Sequence, residues 1–333
     1  MDVVTDAIFG DHLRNVRHPE SPDRVEVVAA RLRSMGLLDD IVPARDATDD
    51  ELRLVHNARY LELVKREASQ VSHPRNLSTG DVIIDDRSLA VARRAAGGAV
   101  IALETAVERN HPVFALVRPP GHHAQSDRGM GFCLFNNAAI AARAHQSRHG
   151  GTVLVVDFDY HHGNGTQDIV GDGLSYVSTH ASPAYPGTGF ENESYGDALL
   201  ANVPLPVTGI STEAFVAVWE RLLALVAAEL RPQAIVVSAG FDYVAGDPVG
   251  DLGVDVDAAA ALARAINRVG YEYCHGRVAY VLEGGYAIDA LTSSIAQILT
   301  SDAGGGNAAD PRAIEGNVAA ALAATERCVR ARR

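Results

Sequence analysis

The chain has 333 residues, of which 47% are hydrophobic, and a formal net charge of -13 at pH 7. Its length permits one large α/β domain or two ordinary ones, at about 150 residues per domain. The acidic charge argues against direct nucleic-acid binding, which requires a basic surface. It fits a cationic substrate, and it equally fits a surface that is acidic only for solubility.

The cysteines and the hydropathy pattern indicate in which cellular compartment the protein is expected. Cys133, Cys274 and Cys328 are far apart and form no metal-binding spacing, which favours a reducing compartment. The first residues are acidic where a secretion signal would be basic, and no stretch reaches the roughly 18 uncharged apolar residues that a membrane span requires. We therefore expect a cytoplasmic protein without membrane association, and the sequence leaves open whether it forms a homo-oligomer.

The first part of the chain predicts loops and helices. Residues 1 to about 50 are interpreted as loop with one short helix, which Ser21 and Pro22 begin and which runs to Met35. A helix, a turn-rich mobile rim loop and an alanine-rich helix are then predicted at residues 51–68, 72–81 and 88–109.

Five hydrophobic, β-branched runs follow, and each ends in residues that bind metals or transfer protons. The runs are Val113–His123, Thr152–His162, Leu174–His180, Ala234–Asp242 and Arg277–Tyr286. Continuous apolar runs are typical of parallel strands buried on both faces, and open α/β sheets place their sites beyond the carboxyl ends of the strands. The five runs therefore predict one shared active site.

Helices are predicted between and after these strands, which gives the alternation of a parallel sheet with right-handed crossovers. The predicted helices cover residues 211–230, 255–274 and 287–300, and a last helix follows the glycine-rich residues 303–312 and ends at Arg333. The predicted fold is a single α/β domain over residues 1–333, with three α/β/α layers and a mainly parallel sheet.

The segment Asp157–Gly165, DFDYHHGNG, predicts a metal site. Asp157, Asp159 and His161 are two positions apart, so an extended chain projects all three from one face. One strand end can thereby deliver a carboxylate and an imidazole to one ion. Asp242, at the end of another run, is the candidate for the third ligand, although an isolated aspartate is as often a cap or turn residue. Two carboxylates, an imidazole and an open position suit catalytic Zn²⁺, and Fe²⁺, Mn²⁺ or Co²⁺ would also fit.

His122 and His123 predict a proton-transfer pair, because adjacent histidines point in different directions and stand at a strand end. Each imidazole needs an acceptor at its far nitrogen, and Asp157 and Asn164 are the candidates. A carboxylate partner favours the imidazolium form, so the pairing would separate acid from base. Tyr286, after two glycines, is either an oxyanion donor or a packing residue.

Together these residues resemble the histone deacetylase superfamily, the arginase-like zinc amidohydrolases that include acetylpolyamine amidohydrolases and bacterial deacetylase-like enzymes. The matching segments span nearly the whole chain in the family's order. They are residues 18–24, 118–124, 131–142, 157–167, 182–189, 238–250 and 282–286. The resemblance implies an arginase/deacetylase-like fold and hydrolytic removal of an acetyl group from an acetylpolyamine or an acetyl-lysine side chain.

The resemblance also implies roles for single residues. Zinc would be bound by Asp159, His161 and Asp242, with His122 and His123 as tandem histidines, Asp157 and Asn164 as their partners and Tyr286 as the transition-state donor. A structural potassium ion beside the zinc is implied at Asp157, Asp159, His161, Ser178 and Thr179. Arg24 matches an arginine behind the site, without an assigned role.

The substrate would enter between aromatic side chains. The resemblance places Phe132 and Tyr185 as tunnel walls after Gly131, although plain core packing is the alternative reading of both aromatics. Val249 stands where the family often has a longer apolar side chain, so the acyl pocket is expected to differ in shape. Asp81 is a candidate rim acid for the substrate's backbone or amine.

Two other functions remain open at this point. An arginase-like two-metal ureohydrolase would need more bridging carboxylates than Asp242 alone in the segment 238–242. A non-catalytic protein that binds acetylated ligands would hold the metal without hydrolysis. Metal stoichiometry and acetate release distinguish these alternatives from a deacetylase.

Overall fold

The computed structural model describes residues 1–304 and 308–332. Residues 305–307 of the glycine-rich stretch and Arg333, the predicted end of the last helix, lie outside the described residues. The strands of the described part are β1 Asp2–Thr5, β2 Ile41–Pro43, β3 Arg75–Asn76, β4 Ile83–Ile84, β5 Val113–Ala115, β6 Val153–Asp157, β7 Leu174–Ala181, β8 Glu193–Tyr195, β9 Ala198–Leu205, β10 Ala234–Ala239 and β11 Val278–Leu282. Its α-helices are α1 Asp23–Ser34, α2 Asp49–Arg53, α3 Ala58–Gln70, α4 Ser88–Arg109, α5 Asn137–His149, α6 Asn164–Gln167, α7 Thr212–Leu230, α8 Ala258–Cys274, α9 Ile288–Thr300 and α10 Gly316–Arg330.

The main sheet of the described residues has nine strands in the order β2-β1-β5-β11-β10-β6-β7-β9-β8. All neighbours are parallel except β8 and β9, and the short antiparallel pair of β3 and β4 is separate. The central strands are buried along their whole length, which explains their unbroken apolar runs. The five runs singled out above correspond to β5, β11, β10, β6 and β7, which lie next to one another in this order in the sheet.

Helices cover both faces of this sheet. α4 packs against α5, and these two helices contact β5, β11, β10 and β6. α8 contacts β10 and β11 and packs between α7 and α9, while α1 packs on α9 and α10 on α7. The predicted three-layer α/β/α fold with a mainly parallel sheet is confirmed.

The amino-terminal third differs from its prediction. Residues 2–5 and 41–43 are strands of the main sheet, not loop, because the short apolar β1 pairs with both β2 and β5. The single helix predicted at 51–68 is two helices, each with its own cap: Thr48 and Glu51 form a capping box on α2, and the Asn57 side chain caps α3. The turn-rich segment contains the short strand β3, which was predicted as loop.

Register brings the carboxyl ends of the central strands to one level. Asp157 at the end of β6 lies opposite Ser238 of β10 on one side and Ser178 of β7 on the other. Val281 of β11 in turn pairs with Ser238 and with Ala115 of β5. The groups that follow these strands are therefore delivered to one edge of the sheet.

Among the described residues, no helix combines the length and apolar character needed to cross a bilayer.

Candidate active site

Asp159, His161 and Asp242 converge beyond β6 and β10. Their ligand atoms all lie within 4.8 Å of one another, and in the described part of the chain this is the one group of three or more His, Cys, Asp or Glu side chains that could share an ion. His161 Nδ1 lies 2.9 Å from Asp242 Oδ2 and 3.2 Å from Asp159 Oδ1. Three ligands of one tetrahedral ion at about 2.1 Å would stand about 3.4 Å apart, so the spacing fits a metal.

The environment of the two carboxylates also fits a cation. Asp159 is 1% exposed and Asp242 is fully buried. Burial and the neighbouring Asp159 charge raise the pKa of Asp242 to about 6, which shows the electrostatic cost of this pair without a cation. One nitrogen and two oxygen donors, with a side open to the cavity, suit Zn²⁺ and accept Fe²⁺, Mn²⁺ or Co²⁺.

Backbone amides fix both carboxylates. The Gly284 N–H donates to Asp159 Oδ2 at 2.8 Å, and the Tyr160 N–H donates to Asp242 Oδ1 at 2.9 Å. A Cβ on Gly284 would lie 2.6 Å from one oxygen of each aspartate. Only glycine therefore permits the approach of β11 to the ligand set, as the glycine pair before Tyr286 indicated.

His122 pairs with Asp157. Its Nδ1 lies 3.0 Å from Asp157 Oδ2, which also accepts a 2.9 Å hydrogen bond from the Tyr176 hydroxyl. Burial disfavours the imidazolium, but the charges of Asp159 and Asp157 outweigh it and raise the pKa of His122 to about 10. The surroundings of His122 therefore stabilise its positively charged imidazolium form.

His123 pairs with Asn164 instead, at 2.9 Å between Nδ1 and Oδ1. An amide does not compensate a positive charge as a carboxylate does. Burial, together with the neighbouring His122 and His161, lowers the pKa of His123 well below its usual value. The structure thus brings together both histidines and both predicted partners, in two unequal pairs.

Tyr286 stands on the opposite wall with its backbone and ring held. The Arg24 Nε donates to the Gly285 carbonyl at 2.7 Å, its Nη2 donates to the Glu283 carbonyl, and its guanidinium carbon lies 4.8 Å from the centre of the Tyr286 ring. Burial raises the pKa of the Tyr286 hydroxyl far above its usual value. The phenol therefore keeps its proton and remains a hydrogen-bond donor.

These groups surround a cavity of about 310 Å³. Its floor is formed by His122, His123, Asp159 and His161, and its rim by Asp81, Phe132 and Tyr185. All five residues predicted for substrate binding line it, as does Tyr286, whereas Asp157 and Asn164 lie behind the histidines. The lining residues are Asp81, Pro120, His122, His123, Gly131, Phe132, Asp159, His161, Tyr185, Val249, Gly284 and Tyr286.

The rim residues contact one another and the floor. Phe132 makes edge contacts with Tyr286 and His18, at 5.9 Å and 4.6 Å between ring centres. Tyr185 is 39% exposed, and its ring lies edge-on to His123 at 5.1 Å. Asp81 accepts hydrogen bonds from the Gly131 N–H at 2.9 Å and the Tyr185 hydroxyl at 3.2 Å. A single acid therefore connects both sides of the entrance.

Gly131 has a positive φ of +56° and leaves no room for a side chain. A Cβ there would lie 2.3 Å from the His123 ring. Phe132, the next residue, has φ +69°, a left-handed conformation that costs a residue with a side chain about 1 kcal/mol. Gly131, which adopts a positive φ without strain, and the strained Phe132 together direct the Phe132 ring toward Tyr286.

Of the residues predicted for potassium, Asp159 and His161 belong to the candidate ligand cluster, Asp157 ends β6, and Ser178 and Thr179 lie on the neighbouring β7. Ser178 and Thr179 are buried, and Ser178 Oγ lies 2.9 Å from His180 Nδ1. His180 Nε2 lies 3.0 Å from the Gly189 carbonyl, so this histidine is outside the ligand set. The potassium site stays a prediction.

The sequence interpretation gave no role to two buried acids of this region. Glu283 accepts hydrogen bonds from the backbone N–H groups of Gly121 and His122, at 2.6 Å and 3.0 Å, and burial raises its pKa to about 7. Asp247 binds the backbone on either side of the cavity, as described below. Glu283 could have been noticed as an acid that ends a fully apolar strand, whereas Asp247 has the sequence of an ordinary turn.

The chain is similar over most of its length to one known protein family. Residues 18–301 match the family model of the histone deacetylase domain. Histone deacetylase 15 of Arabidopsis thaliana is 36% identical over 294 residues, which cover 85% of this chain and 52% of that protein. This chain therefore spans about half the length of that relative.

Two further comparisons cover more of the matched protein. A probable deacetylase of Archaeoglobus fulgidus is 32% identical over 305 residues, which cover 86% of this chain and 82% of that protein. The crystal structure of the HDA15 HD domain superposes with a TM-score of 0.86 at 29% identity, over 98% of this chain and 95% of that one. The likeness extends over nearly the whole fold.

Proposed function

The chain belongs to the histone deacetylase family, a family of deacetylase enzymes, and from this premise we propose that it is a zinc-dependent amidohydrolase that removes the acetyl group from an acetylated primary amine. One observation supports this above all. The ligand cluster of Asp159, His161 and Asp242 reaches the floor of a cavity through Asp159 and His161, and two differently paired histidines and a buried phenol also line that cavity.

Asp159, His161 and Asp242 would hold the ion. Zinc suits their donor set, and iron, manganese or cobalt would also fit. When bound, such a cation supplies a Lewis acid that polarises the acetyl carbonyl and makes water more acidic. The potassium ion beside Asp157 and Ser178 is a separate, structural part of the proposal.

His123 is the proton acceptor for the attacking water. Its partner Asn164 leaves the imidazole neutral, and Nδ1 is the nitrogen that faces Asn164, so Nε2 is free to accept a proton. His122, paired with the Asp157 carboxylate, keeps a positive charge beside the reacting atoms, and the proton that His123 takes from water passes to the leaving amine nitrogen as the C–N bond breaks. The two partners thereby divide the work of the tandem pair.

Tyr286 donates its hydroxyl proton in a hydrogen bond to the acetyl oxygen as negative charge develops there. A donor that is already fixed by Arg24 and by the backbone needs no reorganisation during the reaction, which is the condition for strong transition-state stabilisation. The ring of Phe132 against Tyr286 excludes water from this side.

The substrate is an acetylpolyamine or an acetyl-lysine side chain. Phe132 and Tyr185 flank the entrance to the cavity, where an apolar alkyl chain would lie. Asp81 and the net charge of -13 favour an amine that has a positive charge elsewhere. Val249 borders the acyl pocket and limits its depth.

The test is acetate release by the zinc-loaded chain from acetylputrescine, acetylspermidine and an acetyl-lysine peptide, measured side by side. We expect turnover of at least one substrate and its loss in Asp159→Asn. Asp289→Asn, a change in an exposed residue on the first turn of α9 whose side chain pairs with Arg31 and does not line the cavity, is the control and should retain full activity.

Other outcomes would support the other functions. One equivalent of metal without hydrolysis of any probe would favour a protein that binds acetylated ligands. Two equivalents of metal and urea release from a guanidino substrate would favour an arginase-like enzyme. Full activity of Asp159→Asn would contradict the proposed site.

A further inference from the structure

One carboxylate outside the predicted site joins two walls of the cavity. Asp247 Oδ2 accepts hydrogen bonds from the N–H groups of Tyr286 and Ala287, at 2.6 Å and 2.9 Å. Its Oδ1 accepts from the N–H groups of Val249 and Gly250, at 2.9 Å and 3.2 Å. The side chain is 7% exposed. Each oxygen thus binds one segment, and each segment contributes a residue to the cavity lining, Tyr286 from one and Val249 from the other.

The backbone N–H groups around Tyr286, at the start of α9, depend on a hydrogen-bond acceptor from another part of the chain. Ala287 is the N-cap of α9 and has no side chain that could cap the helix. The N–H groups at the start of a helix are unpaired and positively polarised, so a carboxylate from another loop satisfies the N-cap N–H of Ala287 and is stabilised there, while the N–H of Tyr286 precedes the helix. Asp247 is the acid that occupies this place.

The chain just before Tyr286 is built of glycines, whose backbone needs contacts from other residues to fix one conformation. Gly284 and Gly285 precede it, and Gly285 has φ +113°, which side chains other than hydrogen rarely permit. Arg24 holds this turn from its carbonyl side, at the Gly285 oxygen. Asp247 holds it from the amide side, so the phenol is placed between two fixed points.

We propose that Asp247 is a positioning residue, which sets the Tyr286 hydroxyl and the Val249 wall at a fixed separation around the acetyl group. The role of Tyr286 in this inference rests on the proposed function. The tie between the two backbone segments does not, because it follows from the four hydrogen bonds alone.

The kinetic test is a double-mutant cycle on the zinc-loaded enzyme. In Asp247→Asn one carboxylate oxygen is replaced by an NH2 group, so the side chain can no longer accept hydrogen bonds from both segments. Because displacement of a reacting group lowers the rate, we expect kcat to fall about 10- to 100-fold, with KM and metal content within about twofold of the wild type. In the Tyr286→Phe background the same change should cost less than about twofold, because the hydroxyl it positions is gone. An equal cost in both backgrounds would overturn the inference.

Asp251→Asn is the matched control. Asp251 lies in the same loop and also accepts two backbone hydrogen bonds, from Gly246 and Gly253, but none from the Tyr286 segment. This variant should keep wild-type kcat. If Asp247→Asn does not fold, Asp247→Glu, which keeps the charge and moves it by one methylene, is expected to show the same kcat loss and the same cycle.

Hydrogen exchange tests the tie without reference to activity. In Asp247→Asn, amides of residues 247–250 and of 284–290 should both exchange faster, and in Asp251→Asn the second segment should be unchanged. Faster exchange confined to 247–250 would contradict the tie. Absence of hydrolysis by the wild type would refute the proposed function, while the exchange result would still decide the role of Asp247 in the fold.

Discussion

The floor and the rim of the cavity are held in different ways. Floor side chains such as Asp159 and His122 are buried and are held by groups from other strand ends, for example the Gly284 amide and the Asp157 carboxylate. The rim is held chiefly through Asp81, whose partners are one backbone amide and the exposed Tyr185. The chemistry therefore depends on the sheet, whereas access depends on loop residues such as Asp81 and Tyr185, which are exposed.

This difference has an energetic meaning. Removal of one partner from a buried charged pair leaves an uncompensated charge, which is strongly unfavourable, whereas exposed pairs contribute about 0.2–1 kcal/mol. Changes in the floor should consequently abolish metal binding or turnover, and changes in the rim should adjust affinity. Four predictions test this contrast, in order of decreasing effect.

Asp242→Asn should have the largest effect. It removes a charged ligand, and loss of Lewis-acid assistance worth about 4 kcal/mol corresponds to about 1000-fold in kcat/KM. Metal content after dialysis and acetate release should fall together, with Asp289→Asn unchanged in both. Wild-type metal content and turnover in Asp242→Asn would show that the ligand set is wrong.

Tyr286→Phe should come next. Removal of one oxyanion donor typically lowers kcat about 100-fold, and KM and metal content should change little because the ring and its packing remain. Steady-state kinetics and metal analysis provide the measurement. Tyr271→Phe, at an exposed position, is the control. A rise in KM at constant kcat would instead indicate that the hydroxyl binds the ground state.

Exchange of the histidine partners should have an intermediate effect. In Asn164→Asp, a carboxylate beside His123 favours its imidazolium form and raises its pKa. When the pH is lowered, His123 therefore becomes protonated, and stops acting as a base, at a higher pH than in the wild type. The acidic limb of the kcat/KM profile should move toward higher pH. Asp157→Asn should lower kcat about 10- to 100-fold without that displacement, and a displaced acidic limb in Asp157→Asn alone would assign the base to His122.

Asp81→Asn should have the smallest effect, on affinity alone. Loss of an exposed charge should raise KM for acetylspermidine about two- to fivefold at constant kcat, and the difference should vanish at high salt. Tyr185→Phe, which removes only the hydrogen bond to Asp81, should change KM less. A large fall of kcat in Asp81→Asn would mean that the rim takes part in the chemistry.

The same contrast explains what the sequence could predict. The strand ends that form the floor were predictable because burial on both faces leaves continuous apolar runs, such as Ala234–Asp242, and because parallel strands end at one edge. β1 was not recognised because four residues are too few for a pattern. The helix break before Ala58 had a signal, the N-cap residue Asn57, which the apolar period obscured.

Residues that act through the backbone were the least predictable. Glu283 and Asp247 bind amides of segments that are remote in the chain, so their partners depend on tertiary structure and not on local spacing. The rim residues were found only through family resemblance. No periodicity in residues 72–81 indicates that Asp81 would approach Gly131 and Tyr185.

The order of strands in the sheet also has a consequence for folding. β5 pairs with β11, and the Asp242 carboxylate accepts from the Tyr160 amide across 82 positions of the chain. Such non-local pairings require the closure of long loops and form slowly. A partly folded chain that lacks either β6 or β10 does not contain the complete ligand set. Metal affinity would consequently report completion of the fold, and the ion would select the finished chain over its intermediates.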